Sequence, residues 1–163
     1  MDGVIGVMDG AARVETAYRS IHPVLWRALL AYTGDREVAS DAESEAFAQV
    51  MRRGSEVADV AAWVWRTAFA IAAGMLATRA RQRPVGRVTG ETAEHEASLT
   101  EFLSMLGELS DQQRACIVLR YATPLDTAGI AAALGTSEGT VRVQLHRAHT
   151  TLRRTLKEAG HGG

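Results

Sequence analysis

The stretch from Ile130 to Arg154, IAAALGTSEGTVRVQLHRAHTTLRR, constrains the fold of this chain more than any other. Helix-turn-helix units need a small residue where the two helices cross, a glycine in the turn, and an apolar residue where the second helix packs back. Here Ala131 is followed four residues later by Gly135, and Val141 comes six residues after that. The spacing predicts a helix, a tight turn and a second helix.

The second predicted helix has one apolar face and one basic face. At about 100° per residue, Val141, Leu145, Ala148 and Leu152 share a side, which we expect to face the core. Arginine can bridge guanine O6 and N7, and recognition helices enter the groove by their N-terminal end. We therefore predict DNA contacts along the opposite side: near the bases Ser137, Glu138, Thr140, Arg142 and Val143, and further along His146, Arg147, Arg153 and Arg154.

Other interpretations of this helix remain open. The same pattern fits a basic, solvated helix of a bundle that binds nothing. His146 and His149 lie three residues apart, as metal ligands can. However, no cysteine or carboxylate follows nearby to complete a ligand set, so we predict neither a metal site nor a cofactor.

The overall charge of the chain argues at first against DNA binding. The chain has 18 basic and 19 acidic residues, a net charge of −1, whereas DNA is a polyanion. The charges are segregated, however: residues 61–87 contain five arginines and no acid, and residues 112–163 contain seven bases against three acids. Because salt screens exposed charges beyond about 10 Å, phosphate attraction depends on these local basic segments rather than on the total.

Helical signals dominate the remaining sequence. Three serines precede a Glu or Gln three residues on, which predicts capping boxes at Ser40–Glu43, Ser98–Glu101 and Ser110–Gln113. No segment alternates apolar and polar residues between turn pairs, as a strand would. Residues 84–97 contain Pro84, Gly86 and Gly90 and become acidic. We predict an all-α fold of two small domains, residues 11–83 and 98–158, joined by a flexible linker over 84–97.

Composition excludes several other classes of protein. No run of 18 apolar residues predicts a membrane span, and the N-terminus does not resemble a signal peptide. The single cysteine, Cys116, lies in an apolar run, so we expect a core residue and a cytoplasmic protein. His22 precedes Pro23 near an expected helix start and is interpreted as a surface residue. Since no phosphate loop or nucleophile–base arrangement is present, we do not predict an enzyme.

The C-terminal segment LSDQQRACIVLRYATPLDTAGIAAALGTSEGTVRVQLHRAHTTLRR resembles the region of bacterial sigma factors that reads the −35 promoter element. The N-terminal half is similar to the extracytoplasmic-function (ECF) sigma factors. Its Gly34-Asp35 turn is followed by an acidic helix that closes with Glu45-Ala46-Phe47, and then by a tryptophan-containing helix with a basic end. Together these matches cover about residues 11–83 and 98–156.

The resemblance implies functions for each part of the chain. The acidic helix around 38–52 would bind core RNA polymerase through Asp41, Glu45 and Phe47. The helix near 63–83 would grip and open the −10 element, which requires aromatic contacts and a basic track. It offers Trp65, Arg66, Arg79, Arg81 and Arg83; of the two tryptophans, we expect Trp63 inside the core. The acidic linker would thread a polymerase channel, and the resemblance also implies an anti-sigma protein as a partner.

The chain also departs from the family pattern. Ser40 and Ser44 replace the usual Glu and Gln of the polymerase-binding helix, and Ala70 and Gly74 replace a usual Asn and Asp of the melting helix. Thr136 occupies a turn position that is more often apolar. Two functions therefore remain: a sigma factor that directs promoter-specific initiation, or a sigma-like DNA-binding regulator that does not melt promoters.

Overall fold

The computed structural model describes residues 2–82, 101 and 103–161, and all regular structure within them is helical. The N-terminal half consists of α1 (Asp2–Thr33), α2 (Arg36–Arg53) and α3 (Val60–Gln82), with one 3-10 turn at Gly54–Glu56. The C-terminal half consists of a short helix over residues 103–107 (α4), α5 (Asp111–Ala122), α6 (Thr127–Leu134) and α7 (Glu138–His161). The predicted all-α fold is confirmed.

Local capping explains where two of these helices begin. Ser110 and Gln113 form the predicted capping box of α5: each side chain bonds the backbone of the other residue, at 3.2 Å in both directions. The capping box predicted at Ser40 is wrong. Asp35 caps α2 instead by accepting from the Glu37 and Val38 amides, so Ser40 lies inside the helix. The prediction at Ser98 lies outside the described residues.

The helix at the start of the chain is longer than expected. Because α1 already includes Asp2 and continues to Thr33, Pro23 lies inside it rather than near its start. His22, expected at the surface, is half-buried. The interpretation of His22 as a residue at a helix start is therefore wrong.

The predicted helix-turn-helix is present at α6 and α7. Gly135 follows α6 in the left-handed conformation, with φ of 65°, and its amide bonds the Ala131 and Ala132 carbonyls. This conformation favours glycine over any residue with a Cβ. Val141 and Ala148 of α7 are buried, as their spacing predicted, and so are Ile130 and Ala131 of α6.

The two halves share one hydrophobic core. Buried residues from α1, α2 and α3 form a continuous cluster with those of α5, α6 and α7, and α6 packs against α3. Cys116 is part of this core, and burial raises its pKa to about 11, which leaves the thiol protonated and unreactive at neutral pH. The proposed boundaries near 83 and 98 lie outside the described residues, so the division into two domains stays a prediction.

Arg114 of α5 joins the two halves. Its guanidinium donates to the Tyr32 carbonyl of α1 and to the Leu109 carbonyl at 3.2 Å, and it lies 5.3 Å from the centre of the Tyr32 ring. It also pairs with Asp111 at 2.9 Å, and its side chain is only 12% exposed. A charge-assisted contact of this kind, shielded from water, is worth more than a surface ion pair.

We expect Arg114→Ala to destabilise the protein by about 1–3 kcal/mol, because it leaves two carbonyls without their donor. Urea denaturation of the full chain measures this loss. Arg120→Ala, at an exposed arginine of the same helix, is the matched control and should change stability by less than about 0.5 kcal/mol. Equal stability of the two variants would show that Arg114 does not hold the halves together.

Helix α3 is the one helix in the described ranges that is long and apolar enough to cross a membrane, over Val60–Arg79 with mean hydropathy 1.5. Length and composition alone are weak evidence for a membrane span. Val64, Trp65, Ala68, Phe69 and Ala72 are buried within the shared core. A helix whose apolar side packs on α1 and α2 in this way is typical of a protein core.

Candidate nucleic-acid interface

The basic face of α7 is open to solvent. Arg142, Arg147, Arg153 and Arg154 are exposed, and none of them forms an ion pair within the described part of the chain. Val143 is 48% exposed on the same face, and His146 is exposed beside it. Four unpaired arginines around an exposed valine form a surface suited to phosphates and base edges.

Two of the predicted base-contacting residues, Ser137 and Thr140, stabilise the start of α7. The Ser137 hydroxyl accepts from the Thr140 amide at 3.1 Å and lies 2.9 Å from the Thr140 hydroxyl. Ser137 therefore caps the helix, as serine commonly does. Glu138 is exposed in the first turn and remains available for contact.

Contacts from α5 fix the orientation of α7. Gln144 donates to Gln112 at 3.1 Å on one flank, and on the other flank the Tyr121 hydroxyl lies 2.7 Å from His149 Nε2. The Tyr121 and His149 rings also meet edge to face at 5.9 Å. Because both flanks are held, the basic face of α7 points away from α5.

A second candidate face lies along α3. The helical repeat places several exposed residues on one side of this helix: Arg66, Ala70, Ala73, Gly74, Ala77 and Arg81. Between the two arginines this side carries only alanine and glycine. A Cβ added at Gly74 would meet nothing within 4 Å, so larger residues would fit there.

The structure contradicts the placement of the two tryptophans. Trp65 is 7% exposed and packs beside Phe69 with ring centres 6.2 Å apart, whereas Trp63 is half-buried beneath the Arg53 guanidinium at 5.6 Å. Trp63, expected inside, is thus the tryptophan nearer the surface. The apolar spacing of Trp65, Phe69 and Ala72 along α3 was the signal that could have identified the core side.

Arg79 does not join the exposed side of α3. It forms ion pairs with Asp35 and, at 3.9 Å, with Glu37, both at the start of α2. Burial alone would raise the pKa of Asp35, but hydrogen bonds from the Val38 amide and Arg79 outweigh it, so the pKa is lowered. Arg79 therefore serves the packing of α3 on α2. Arg83 lies outside the described residues.

The predicted polymerase-binding residues on α2 differ in exposure. Asp41 and Glu45 are exposed, and hydrogen bonds from Gln49 and Arg52 lower the pKa of Glu45. Phe47 is only 8% exposed, so most of its ring is unavailable to a partner. Ser40, one of the departures from the family pattern, accepts a hydrogen bond from the Trp26 indole at 3.0 Å.

A polar contact between α1 and α2, which the sequence analysis did not predict, lies beside these residues. His22 Nδ1 of α1 lies 2.6 Å from Glu43 Oε1 of α2, and Glu43 is 5% exposed. Burial raises the pKa of Glu43, and its contact with His22 opposes that change. Within the described residues, no group of three or more His, Cys, Asp or Glu side chains could hold a metal ion.

Comparisons with known proteins identify relatives. The family description "Sigma-70, region 4" matches residues 99–152. The ECF RNA polymerase sigma factor SigL of Mycobacterium tuberculosis (strain H37Rv) is 33% identical over 171 residues, covering 94% of this chain and 97% of its own length. The RNA polymerase sigma-E factor of Streptomyces antibioticus is 40% identical over 76 residues, covering 47% of this chain and 42% of its own length.

Solved structures with the same fold were also found. The sigma factor RpoE of Bartonella quintana, determined in complex with the anti-sigma factor NepR, has a TM-score of 0.74 at 20% identity and covers 88% of this chain and 96% of its own. CnrH, in complex with the cytosolic domain of CnrY, has a TM-score of 0.72 at 18% identity and covers 94% of this chain and 97% of its own. At these identities the likeness shows the fold.

Proposed function

Since this chain belongs to the ECF RNA polymerase sigma factors, we propose which of its surfaces performs each step of promoter recognition. The protein binds core RNA polymerase and directs promoter-specific DNA binding and transcription initiation. Members of this group are cytoplasmic transcription factors rather than enzymes, and we propose the same location for this chain and no catalytic function.

The exposed basic face of α7 is the observation that carries the assignment of the −35 contact. Glu138, Arg142 and Val143 lie at the N-terminal end of the helix and would reach base edges. His146, Arg147, Arg153 and Arg154 would hold phosphates or the far edge of the site. Ser137 supports them by capping the helix, since its hydroxyl accepts from the Thr140 amide.

The exposed side of α3 would contact the −10 element through Arg66 and Arg81. Trp65 and Arg79 no longer belong among the proposed contacts, since one is buried and the other is bound to carboxylates of α2. Asp41 and Glu45 of α2 would bind core polymerase. An anti-sigma protein is a further proposed partner, because RpoE was determined with one.

The closed packing of the two halves has a consequence for promoter binding. Elements centred near −35 and −10 lie about 25 base pairs apart, or about 85 Å along the helix axis at about 3.4 Å per base pair. In this structure α6 packs directly on α3, and α3 and α7, the helices that carry the two candidate DNA faces, contribute to one shared core. We propose that the halves separate when both elements are bound.

The alternative function, a regulator that binds DNA without opening it, is favoured by one observation. The exposed side of α3 carries Ala70, Ala73, Gly74 and Ala77 between its arginines, and none of these four residues has a polar side chain to hold an unstacked base. Substituting polar residues at these positions therefore distinguishes a promoter-opening sigma factor from a regulator that does not open DNA.

Transcription of fragmented genomic DNA from the source bacterium, by core polymerase with and without the protein, tests the proposal. New RNA 5′ ends that share a two-element motif upstream are expected. If the protein elutes with core polymerase but produces no new 5′ ends, Ala70→Asn with Gly74→Asp should be tested. A large gain in open complexes would then support the regulator, and the space around Gly74 allows the substitution.

A further inference from the structure

Large apolar side chains are exposed at only a few places in the described residues. They are Tyr18, Met51, Tyr121, Val143 and Leu156. Val143 belongs to the DNA face of α7. Tyr18 and Met51, which are 43% and 53% exposed, belong to α1 and α2 and are unexplained by the DNA contacts.

Tyr18 lies on a seam between α1 and α2 that includes three polar or aromatic side-chain contacts. Trp26 bonds Ser40, His22 bonds Glu43, and Tyr18 packs on Phe47. The α1 residues are four apart, and their α2 partners advance by three or four, so the contacts follow one line along the two helices. Met51 is one turn beyond Phe47 and continues the α2 side of this line.

The ring of Tyr18 is held in place on two sides. It stacks on the His22 ring at 4.7 Å with 14° between the planes, and it meets Phe47 edge-on at 5.0 Å. His22 is fixed in turn by the nearly buried Glu43 carboxylate. A rigid aromatic ring binds a partner with little loss of side-chain entropy, which is why such residues dominate binding energy at interfaces.

Phe47 connects this seam to the polymerase-binding helix. The family resemblance places a polymerase contact at Phe47, yet Phe47 is only 8% exposed and Tyr18 covers it. The aromatic surface at this point of the protein is therefore that of Tyr18. Ser44, small where the family pattern has Gln, is exposed about one turn before Phe47 and two turns before Met51, and adds little bulk beside the seam.

We propose that Tyr18, held by His22 and flanked by Met51, is a binding residue for core RNA polymerase that extends the docking surface of α2 onto α1. The surface so formed carries an aromatic ring and a thioether, and the same helix α2 also exposes the acidic Asp41 and Glu45. Its partner on the polymerase is an apolar patch with a basic rim. This inference rests on the proposed polymerase-binding function of α2.

The affinity of the full-length protein for core polymerase tests the proposal. Tyr18→Ala is expected to weaken binding by at least about tenfold, as interface aromatic residues commonly do. Tyr18→Phe keeps the ring and should bind within about threefold of the unchanged protein, since the hydroxyl makes no bond with the described residues. Arg19→Ala alters the next residue, whose side chain is 77% exposed, and is the matched control for changes in α1.

Photo-crosslinking is a second measurement that does not depend on stability. A photoreactive phenylalanine analogue in place of Tyr18 should crosslink to the same polymerase subunit as one in place of the exposed Ser44, and one in place of Arg19 should crosslink weakly. Equal polymerase affinity of Tyr18→Ala and the unchanged protein, without crosslinks from position 18, overturns the inference and leaves the proposed function intact. No polymerase binding by the unchanged protein overturns both.

Discussion

Replacing Arg142 and Arg147 together with alanine is expected to weaken binding to a −35 duplex by about 30-fold or more. Each arginine that holds a base or a buried phosphate contributes about 1–3 kcal/mol, and contributions from separate contacts are roughly additive. Both side chains are exposed on α7 without a partner in the described residues, so their removal costs the fold little. The loss should therefore appear in DNA binding and not in stability.

A salt titration of DNA affinity measures this prediction. The slope of log affinity against log salt should fall by about one for each phosphate contact that is removed. Arg19→Ala with Arg27→Ala removes the same charge from exposed positions of α1 and is the matched control. If the α7 double variant binds no more weakly than this control, α7 does not enter the groove by its basic face.

Trp65→Ala is expected to cause the largest loss of stability, about 3–5 kcal/mol, as for other buried aromatic residues. Trp65 is 7% exposed beside Phe69, and Phe69 stacks on Tyr32 at 5.2 Å. Arg114 of the C-terminal half donates to the Tyr32 carbonyl and lies over the Tyr32 ring. The loss of Trp65 should therefore weaken contacts between the halves as well.

Thermal denaturation distinguishes the two tryptophans. For a chain of this size, such a loss lowers Tm by roughly 6–20 °C. Trp63→Ala is the matched control: Trp63 is half-buried under Arg53, so its removal should cost about 1 kcal/mol. A larger loss at Trp63 than at Trp65 would reverse their assignment as surface and core residues.

Much of the fold and of the α7 site was predictable because the deciding interactions are local. The Ser110 capping box, the left-handed Gly135 and the apolar side of α7 each depend on residues within a few positions of one another. The basic face of α7 follows directly from that helical repeat. The capping box at Ser40 failed because a better cap, Asp35, lies five residues earlier.

The exposure of the α2 and α3 residues was decided by tertiary structure. Trp63 and Trp65 are two positions apart in the same helix, so helix propensity does not tell which of them is buried. The packing of α3 on α1 and α2 decides it. Phe47 is covered by Tyr18 from a helix 29 residues away, and Arg79 pairs with Asp35 across 44 residues.

By itself, then, the sequence determined the helices, the turn at Gly135, the basic face of α7 and, through its motifs, the family. The tertiary structure decided which residues of each half remain at the surface, and it packed the halves together through Arg114 and Tyr32, 82 residues apart. The physical reason is that caps and helical faces form within about one turn of the chain, whereas burial depends on neighbours that only folding brings into contact.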